Sequence, residues 1–201
     1  MMGLRLKILS WWTPTWVISR ELDHVFQVTT AALKSLLAAH ALEIQTKGSE
    51  EKGVPKSVEQ KRASMAAEHA MLVEALANAI GFEEALRLGR EALFGVGKQL
   101  GMASRGKLGV GSNPKDLIKA ATILYRVLGI EFKIERSDKT RATLIVHRCA
   151  LSQYYSEFTC KVLSATDEGV VKGLNPHVNM AFAEVLTSGC QNCRAQIEFE
   201  N

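Results

Sequence analysis

The sequence lacks three features that would each point to a distinct class of protein. No stretch approaches the ~18 consecutive apolar residues of a membrane-spanning helix. Its 25 basic and 21 acidic residues are interspersed, and the net charge of +4 is too small for a typical nucleic-acid-binding domain. The chain also has no internal repeat and no low-complexity tract. We therefore expect a globular protein with no transmembrane segment and no nucleic-acid partner.

The N-terminal residues do not predict a secretory signal. Arg5 and Lys7 precede a short apolar stretch, but Pro14 interrupts it and no small-residue cleavage site follows. No cysteine occurs before residue 149, and all four lie in the last 53 residues: Cys149, Cys160, Cys190 and Cys193. Without a secretory signal we expect a reducing, cytoplasmic setting, in which these thiols are free or bound to metal.

The length allows one substantial core, alone or with a helical extension. We predict an N-terminal helical extension at 1–58, with a tryptophan-rich segment and a polar loop, and an α+β domain at 59–201. All three tryptophans, Trp11, Trp12 and Trp16, lie in the extension. They favour a segment packed on the core or across a dimer; a membrane-surface or partner-binding patch is the alternative, since tryptophan suits half-hydrated interfaces. We expect a homodimer.

The front half of the chain has the apolar spacing of helices. The predicted helices cover residues 20–45, 58–80 and 82–100, and a polar loop separates the first two. Gly89 and Gly97 lie inside the third helix, where glycine costs about 1 kcal/mol, so they predict close contacts with another helix. A glycine-rich loop is predicted at 101–113, before a helix that begins after Asn113 and ends at Gly129. The spacing of the glycines in this loop matches neither the P-loop nor the dinucleotide-binding fingerprint.

The back half changes to the alternation of strands. IEFKIER and ATLIVHRC form one predicted hairpin, VNMAFAEVL and CRAQIEF form a second, and residues 151–172 form a helix between them. This order predicts an α+β fold in which a helical N-terminal half packs with a small antiparallel sheet built from two hairpins.

The expected faces of these elements bring several reactive side chains together. On the last strand, Cys193 shares a face with apolar residues and should point inward. His147 and Cys149 are two residues apart on a strand and should share a face. Cys160, Ser164 and Asp167 lie on one stripe of the intervening helix. If that helix covers the sheet, all of these groups can line one pocket.

Three chemistries fit this constellation. A redox CxxC is the weakest, because this pair leads into a strand and redox pairs sit at helix N-termini. A zinc site of the Cys₃His type can be formed from His147, Cys149, Cys190 and Cys193. A nucleophile, either Cys149 or Ser164, can be assisted by His147 as base, with Asp167 orienting that base or activating water. Buried cysteines can also be simple apolar fillers.

The motifs HRC, SATDEG, LNP and SGCQNC, together with the helical lead-in EHAMLVEALANAIGFEEALRLGREALFGVG, resemble the L-2-amino-thiazoline-4-carboxylic acid hydrolase family. The resemblance covers roughly residues 60 to 200. The cysteine- and glycine-containing ending is also similar to the 4-vinyl reductase domain, a small-molecule-binding module with a TRAPP-subunit-like fold. Both resemblances imply helices packed against a twisted antiparallel sheet.

The hydrolase resemblance implies an enzyme that opens a small cyclic amidine-like thioether ring with water, a C–N hydrolase. The family pattern implies the site positions Cys149, Ser164, Asp167, Asn175, Pro176, Gly189 and Cys193, with Asn175 and Cys193 as ligand-binding residues. The sequence departs from the family pattern at two positions, which weakens the implied activity: Ser164 replaces a family cysteine, and Cys190 replaces an acidic residue. The alternative is a non-enzymatic sensor that binds a small molecule or a metal. No cofactor is certain, and zinc is the one to test.

Overall fold

The computed structural model describes residues 2–40, 57–138 and 140–200 and confirms the α+β class. The described elements, in chain order, are α1 (Met2–Trp11), α2 (Thr15–Ala39), α3 (Val58–Ile80), α4 (Phe82–Leu108), α5 (Pro114–Leu128), β1 (Ile130–Arg136), β2 (Arg141–Cys149), α6 (Glu157–Leu174), β3 (Val178–Glu184), a 3₁₀ turn (Leu186–Ser188) and β4 (Cys193–Phe199). The end of the first predicted helix and the polar loop after it, residues 41–56, lie outside the described residues. No described helix is long and apolar enough to cross a bilayer.

The two predicted hairpins form one four-stranded antiparallel sheet in the order β1-β2-β4-β3. The central pair joins the hairpins, because β2 and β4 pair with Val146 opposite Cys193 and Ala142 opposite Ile197. Cys193, Ala195 and Ile197 are buried and the residues between them are exposed, so the predicted orientation of β4 is confirmed.

Helix boundaries follow their capping residues, and one differs from the prediction. As predicted, α5 begins after Asn113, whose side chain accepts from the Lys115 N–H at 2.9 Å, and it ends at Gly129. The helix predicted from residue 151 begins at Glu157 instead, because Ser156 caps it by accepting from the Thr159 N–H at 3.1 Å.

The glycine-rich loop is shorter than predicted. Helix α4 continues through Gly101 and Gly106 to Leu108, so only residues 109–113 connect it to α5. Gly101 serves a close approach and not a turn, because a Cβ there would collide with the Val170 carbonyl of α6. The loop prediction failed because glycine at a helix contact and glycine in a loop look alike in sequence.

Helices α4 and α6 touch backbone to backbone. A Cβ on Gly97 would overlap the Thr166 carbonyl oxygen, and one on Gly169 or Gly173 would overlap the carbonyl of Phe94 or Lys98. Only glycine fits at these positions, so α6 lies flat on α4 over about three turns. The predicted close contact at Gly97 is confirmed, as is the one at Gly89, where a Cβ would lie 2.8 Å from a Val162 methyl.

This contact determines which side of α6 faces the sheet. Phe158 and Val162 pack with the helical core, which includes Leu93 of α4, and Phe158 meets the exposed Phe82 ring edge to face at 5.0 Å between centroids. The opposite side of α6, which includes Cys160, is left to face the sheet. Phe158 and Val162 are therefore used against helices, whereas Cys160, together with the apolar Val171 and Leu174, faces the core beneath the sheet.

The α4–α6 contact generates a test with a control in the same helix. We expect Gly97→Ala to lower the free energy of unfolding by at least about 2 kcal/mol, because the added methyl must separate two backbones. Gly95 has nothing within 4 Å of an added Cβ, so Gly95→Ala should stabilise the protein by about 0.5–1 kcal/mol. Urea denaturation of both variants measures the difference. Equal effects would contradict the packing described.

Candidate functional site

A partly open cavity lies between α6, the inner face of the sheet, α2, α3 and α5. We call it the inner cavity; its volume is about 90 Å³, enough for several waters or a small organic group. Most of its lining is apolar, from residues such as Met65, Leu128, Val146, Leu163 and Phe182. The lining groups that carry chemistry are Thr29, His69, Tyr125, Cys149, Tyr155, Cys160, Ser164, Asp167 and Cys193.

Four of the residues singled out in the sequence meet at this cavity. Cys149 arrives from the end of β2, Ser164 and Asp167 from α6, and Cys193 from the start of β4. Cys160 joins them, as its place on the helix stripe predicted. Asp167 thus shares a cavity with the two strand cysteines, the geometry that a catalytic hypothesis requires. The chemical roles of these residues stay predictions.

His147 does not reach the inner cavity, and the prediction that it shares a face with Cys149 is wrong. Ile130 pairs with Cys149 and Glu131 with Arg148, but Phe132 pairs with Val146, so His147 is an extra residue in a β-bulge. A bulge reverses the alternation beyond it. Cys149 therefore points inward, whereas the half-exposed His147 lies outside with its Nε2 3.5 Å from a Glu131 carboxylate oxygen.

The bulge also removes the geometry of the predicted zinc site. His147 lies on the outer face, and Cys190 sits in the β3–β4 turn, where its sulfur is 3.4 Å from the Ser188 hydroxyl. Within residues 2–40, 57–138 and 140–200, no three His, Cys, Asp or Glu side chains are placed to hold one metal ion. The Cys₃His set of His147, Cys149, Cys190 and Cys193 is therefore not assembled. All four cysteines are free thiols.

Asn175, predicted from the family pattern to bind ligand, is committed to the fold. It caps the end of α6 and is buried. Its Oδ1 accepts from the His177 N–H at 3.0 Å, and its Nδ2 donates to the Ser112 carbonyl at 3.4 Å. These bonds tie α6 to β3 and to the α4–α5 connection, and Asn175 does not line the inner cavity.

Ser164 is held by a charged network on the α4 side of α6. Its hydroxyl donates to the Lys161 carbonyl at 3.0 Å and accepts from the Arg90 guanidinium at 3.2 Å. The same guanidinium pairs with the buried Glu168 carboxylate at 2.6 Å. Because a cation donates to the Ser164 oxygen and no base takes its proton, the hydroxyl is not set up as a nucleophile.

The cavity thiols are protonated at neutral pH. Burial raises the pKa of Cys149 to about 11 and that of Cys160 to about 11, and it also raises the pKa of Cys193. The Cys193 sulfur accepts from the Leu186 N–H at 3.2 Å, which fixes the turn after β3. Since the thiolate is the reactive form, these cysteines act here as apolar wall groups.

Asp167 is the unusual group of the cavity. Its side chain is partly accessible, but that accessible surface opens onto cavities, and no described residue gives it a hydrogen bond or an ion pair. Burial, and to a lesser extent the adjacent Glu168 carboxylate, raises the pKa of Asp167 to about 7. At neutral pH it can therefore both hold and release a proton, as a general acid or base must.

Sequence reasoning missed a hydrogen-bonded chain on the other side of the cavity. His69 is 2% exposed, its Nε2 lies 2.8 Å from the Thr29 hydroxyl, and its Nδ1 lies 3.0 Å from the Tyr155 hydroxyl. The Thr29 hydroxyl donates to the Val25 carbonyl at 2.7 Å, so Nε2–H donates to Thr29 and Tyr155 donates to Nδ1. Burial lowers the pKa of His69 to about 4, which keeps the ring neutral.

A second cavity, the outer cavity, reaches Asp167 from the opposite direction. It runs beneath α5 and is lined mainly by apolar residues of α4, α5, α6 and the sheet. The exposed side chains of His24, Lys107 and Arg136 lie among its lining residues and form its rim. Asp167 lines both cavities, as do Tyr125 and Thr166.

Two solved structures show the same arrangement of helices and sheet. A trafficking protein particle complex subunit 3 from Naegleria fowleri, covalently bound to palmitic acid, superposes with a TM-score of 0.54 at 14% identity, over 70% of this chain and 95% of that chain. The phenol-responsive sensory domain of the transcription activator PoxR, bound to phenol, gives a TM-score of 0.52 at 13% identity, over 84% and 89%. The fold is therefore TRAPP-subunit-like, as expected.

One protein family matches the sequence from α3 to β4. The family described as L-2-amino-thiazoline-4-carboxylic acid hydrolase matches residues 58–197, and the chain belongs to it. A comparison with curated proteins finds no match. The matched range includes His69 of α3 as well as the cavity residues of β2, α6 and β4.

The hydrogen-bonded chain of His69 can be tested with two adjacent tyrosines. Tyr155→Phe removes the donor to His69 Nδ1 and should lower the free energy of unfolding by about 1–3 kcal/mol, because a buried acceptor loses its partner. Tyr154 is 40% exposed, so Tyr154→Phe should change stability by less than about 0.5 kcal/mol. Thermal and urea denaturation compare them. A Tyr155→Phe variant as stable as Tyr154→Phe would contradict the bond.

The raised pKa of Asp167 predicts that this residue destabilises the protein above neutral pH. Between the ordinary aspartate pKa and about 7, the folded state binds more protons than the unfolded state, so stability falls as pH rises. Asp167→Asn cannot ionise and should be more stable than the parent by about 2 kcal/mol or more near pH 8, and nearly equal to it near pH 4.

Asp138 provides the control for this measurement. Hydrogen bonds from Thr140 and Arg141 lower the pKa of Asp138 to about 2, so Asp138→Asn should lose stability at neutral pH. Urea denaturation over the pH range gives both curves. Loss of stability in Asp167→Asn at every pH would show that the Asp167 carboxylate has a stabilising partner.

Proposed function

We propose that the chain is a hydrolase that opens the ring of a small cyclic amidine at the inner cavity. The observation that carries this proposal is the Asp167 carboxyl group, which has no partner among the described residues and lies in a largely apolar cavity with a pKa raised to about 7. Membership of the hydrolase family gives the reaction class. The substrate class and the residue roles are part of this proposal.

The substrate class follows from charge complementarity at Asp167. A carboxylate left unpaired in apolar surroundings is costly, and a cationic ligand relieves that cost. A protonated amidine has two N–H groups on one carbon, which can donate side by side to the two oxygens of a carboxylate. Its charge would also favour the ionised form of Asp167. An apolar ring beyond the amidine would contact the wall formed by Cys149, Cys160 and Cys193.

The reaction needs one water and one proton carrier. Asp167 accepts a proton from water as the water oxygen bonds to the amidine carbon, which gives a tetrahedral adduct. The ring carbon–nitrogen bond then breaks as the carbonyl forms, Asp167 returns the proton to the leaving nitrogen, and the hydroxyl proton of the adduct follows it, so the amine leaves as an ammonium. Water is consumed, no electron is transferred, and the carboxylate is regenerated. A group with a pKa near 7 suits both the acceptance and the return of the proton.

The proposal assigns the attack to water and not to a side chain. The pKa of Cys149 is raised to about 11, the hydroxyl of Ser164 faces a cation, and His147 lies outside the cavity. Without a base beside either candidate nucleophile, a covalent intermediate has no support. Ser164 in place of the family cysteine is compatible with this route, because its oxygen serves the network with Arg90.

Ring opening of L-2-amino-thiazoline-4-carboxylic acid, followed by NMR, tests the proposal. Asp167→Asn should lower kcat/KM by about 100-fold or more, and the parent kcat/KM should rise with pH through about 7 as the carboxylate forms. Cys149→Ala is the matched control and should keep activity within about tenfold. A Cys149→Ala variant that folds but is inactive would indicate a covalent route through Cys149 in place of direct attack by water. Activity retained in Asp167→Asn would remove the proposal.

A second function is a sensor domain that binds a small neutral aromatic molecule without converting it. It is favoured by the apolar lining of the inner cavity and by the fold shared with a phenol-responsive sensory domain. Calorimetry with phenol, combined with product analysis, separates the two functions. Binding without product, weakened as pH rises and Asp167 ionises, would favour the sensor. A cytoplasmic location and a homodimer stay predictions of the sequence.

A further inference from the structure

We propose that the corner between α1 and α2 binds the anionic surface of a lipid membrane. Four large apolar side chains are exposed there: Ile8 at 51%, Trp11 at 86%, Trp12 at 61% and Trp16 at 66%. We call them the tryptophan corner. This proposal concerns a surface remote from the inner cavity and does not depend on the proposed function.

The tryptophan corner is held rigidly by the rest of the protein. Leu6, on the opposite side of α1, is 1% exposed and packs into the core. The Arg126 guanidinium of α5 donates to the Leu9 carbonyl at 3.1 Å, the Ser10 carbonyl at 3.0 Å and the Thr13 hydroxyl at 3.0 Å. These bonds satisfy the end of α1, so the indoles extend outward from a fixed support.

The spacing of α1 separates the two kinds of apolar residue. Leu6 and Leu9 contact the core, whereas Ile8, Trp11 and Trp12 lie three and four residues apart on the outward side. The core of the single chain therefore does not use the indoles. Three exposed indoles within six residues of sequence are typical of an interaction site.

The charges around the tryptophan corner select the partner. Arg5, Lys7 and Arg20 are exposed, and no acidic residue precedes Glu21 in the sequence. Glu21 pairs with Arg20 at 2.8 Å, and the Arg20 guanidinium also lies 5.6 Å from the Trp16 ring centre. Indoles bordered by cations match a bilayer interface, where rings lie at headgroup depth and each cation near anionic lipid adds about 1 kcal/mol.

A second copy of the chain fits the same surface poorly. In a twofold dimer the same surface meets itself, so Arg5 and Lys7 of one copy would approach their own equivalents, and Glu21, the one acidic residue among the first 21, already pairs with Arg20. An anionic bilayer presents the opposite charge over its whole area. The membrane is therefore the occupant to which charge complementarity points.

The outer cavity lies next to this surface. Trp16, Arg20 and His24 are spaced four residues apart along one side of α2, and His24 belongs to the rim of the outer cavity. A chain bound through the tryptophan corner would hold that rim close to the bilayer. Apolar molecules dissolved in the membrane would then reach an apolar cavity by a short path.

The three tryptophans also provide the measurement, because the chain has no others. Intrinsic tryptophan emission therefore reports only on this corner. With the full-length chain, we expect a blue shift and co-sedimentation with vesicles of phosphatidylcholine and phosphatidylserine, weaker binding to phosphatidylcholine alone, and release by salt.

Variants separate the apolar and electrostatic parts. Trp11→Ala and Trp12→Ala combined should weaken partition about tenfold or more, and so should Arg5→Glu with Lys7→Glu. Met102→Ala removes an equally exposed apolar side chain elsewhere, 59% exposed, and should leave binding unchanged. Thermal melts of each variant confirm that it folds.

Three results would overturn the proposal. The first is no binding of the parent chain to anionic vesicles, and the second is equal binding by the tryptophan variant. The third is a parent dimer in sedimentation that the tryptophan substitutions convert to monomer in the absence of lipid, which would assign the corner to self-association.

Discussion

The backbone contact between α4 and α6 determines where the reactive groups of this protein lie. Gly97 and Gly169 allow the two helices to touch without side chains between them, which fixes the rotation of α6 about its own axis. Cys160 and Asp167 lie about 160–180° around the helix from Gly169, so they are turned toward the sheet. A separation wider by one methyl layer would allow α6 to rotate, and the cavity would lose its defined set of lining groups. Packing between α4 and α6 therefore positions the cavity groups, although these groups lie on the opposite side of α6.

Two adjacent acidic residues of α6 show how environment separates their functions. Glu168 is buried with its charge matched by Arg90, and it also accepts from the Phe182 N–H at 3.3 Å, so it joins α6 to α4 and β3. Asp167, one residue earlier, points to the cavities and has no such partner among the described residues. The Glu168 carboxylate stabilises the packing of α6, and its negative charge helps to raise the pKa of Asp167. One dipeptide thus supplies both an anchor and a titratable group.

Local periodicity predicted much of the fold and part of the site. The strand alternation placed Cys193 inward, and the helical spacing placed Cys160 and Asp167 on one stripe, because both depend only on neighbouring residues. His69 could have been recognised as inward-facing, since it lies four residues after Met65 on the apolar stripe of α3. Its bond to Tyr155 could not, because 86 residues separate them and Tyr155 lies in an irregular turn. The bulge at His147 was equally hidden, because nothing in the letters HRC marks an extra residue.

The bulge at His147 accommodates one extra residue in β2 and keeps Cys149 opposite Ile130. Phe132 and Ile130 keep a regular alternation on β1, and their partners Val146 and Cys149 both face inward although two residues, and not one, lie between them. Replacing His147 changes a side chain on the outer face, where it meets Glu131. Deleting it would restore regular pairing with Arg148 still opposite Glu131 and Cys149 still opposite Ile130, so the thiol would keep facing inward. The strand can therefore lose this one outward residue without changing which of its groups line the inner cavity.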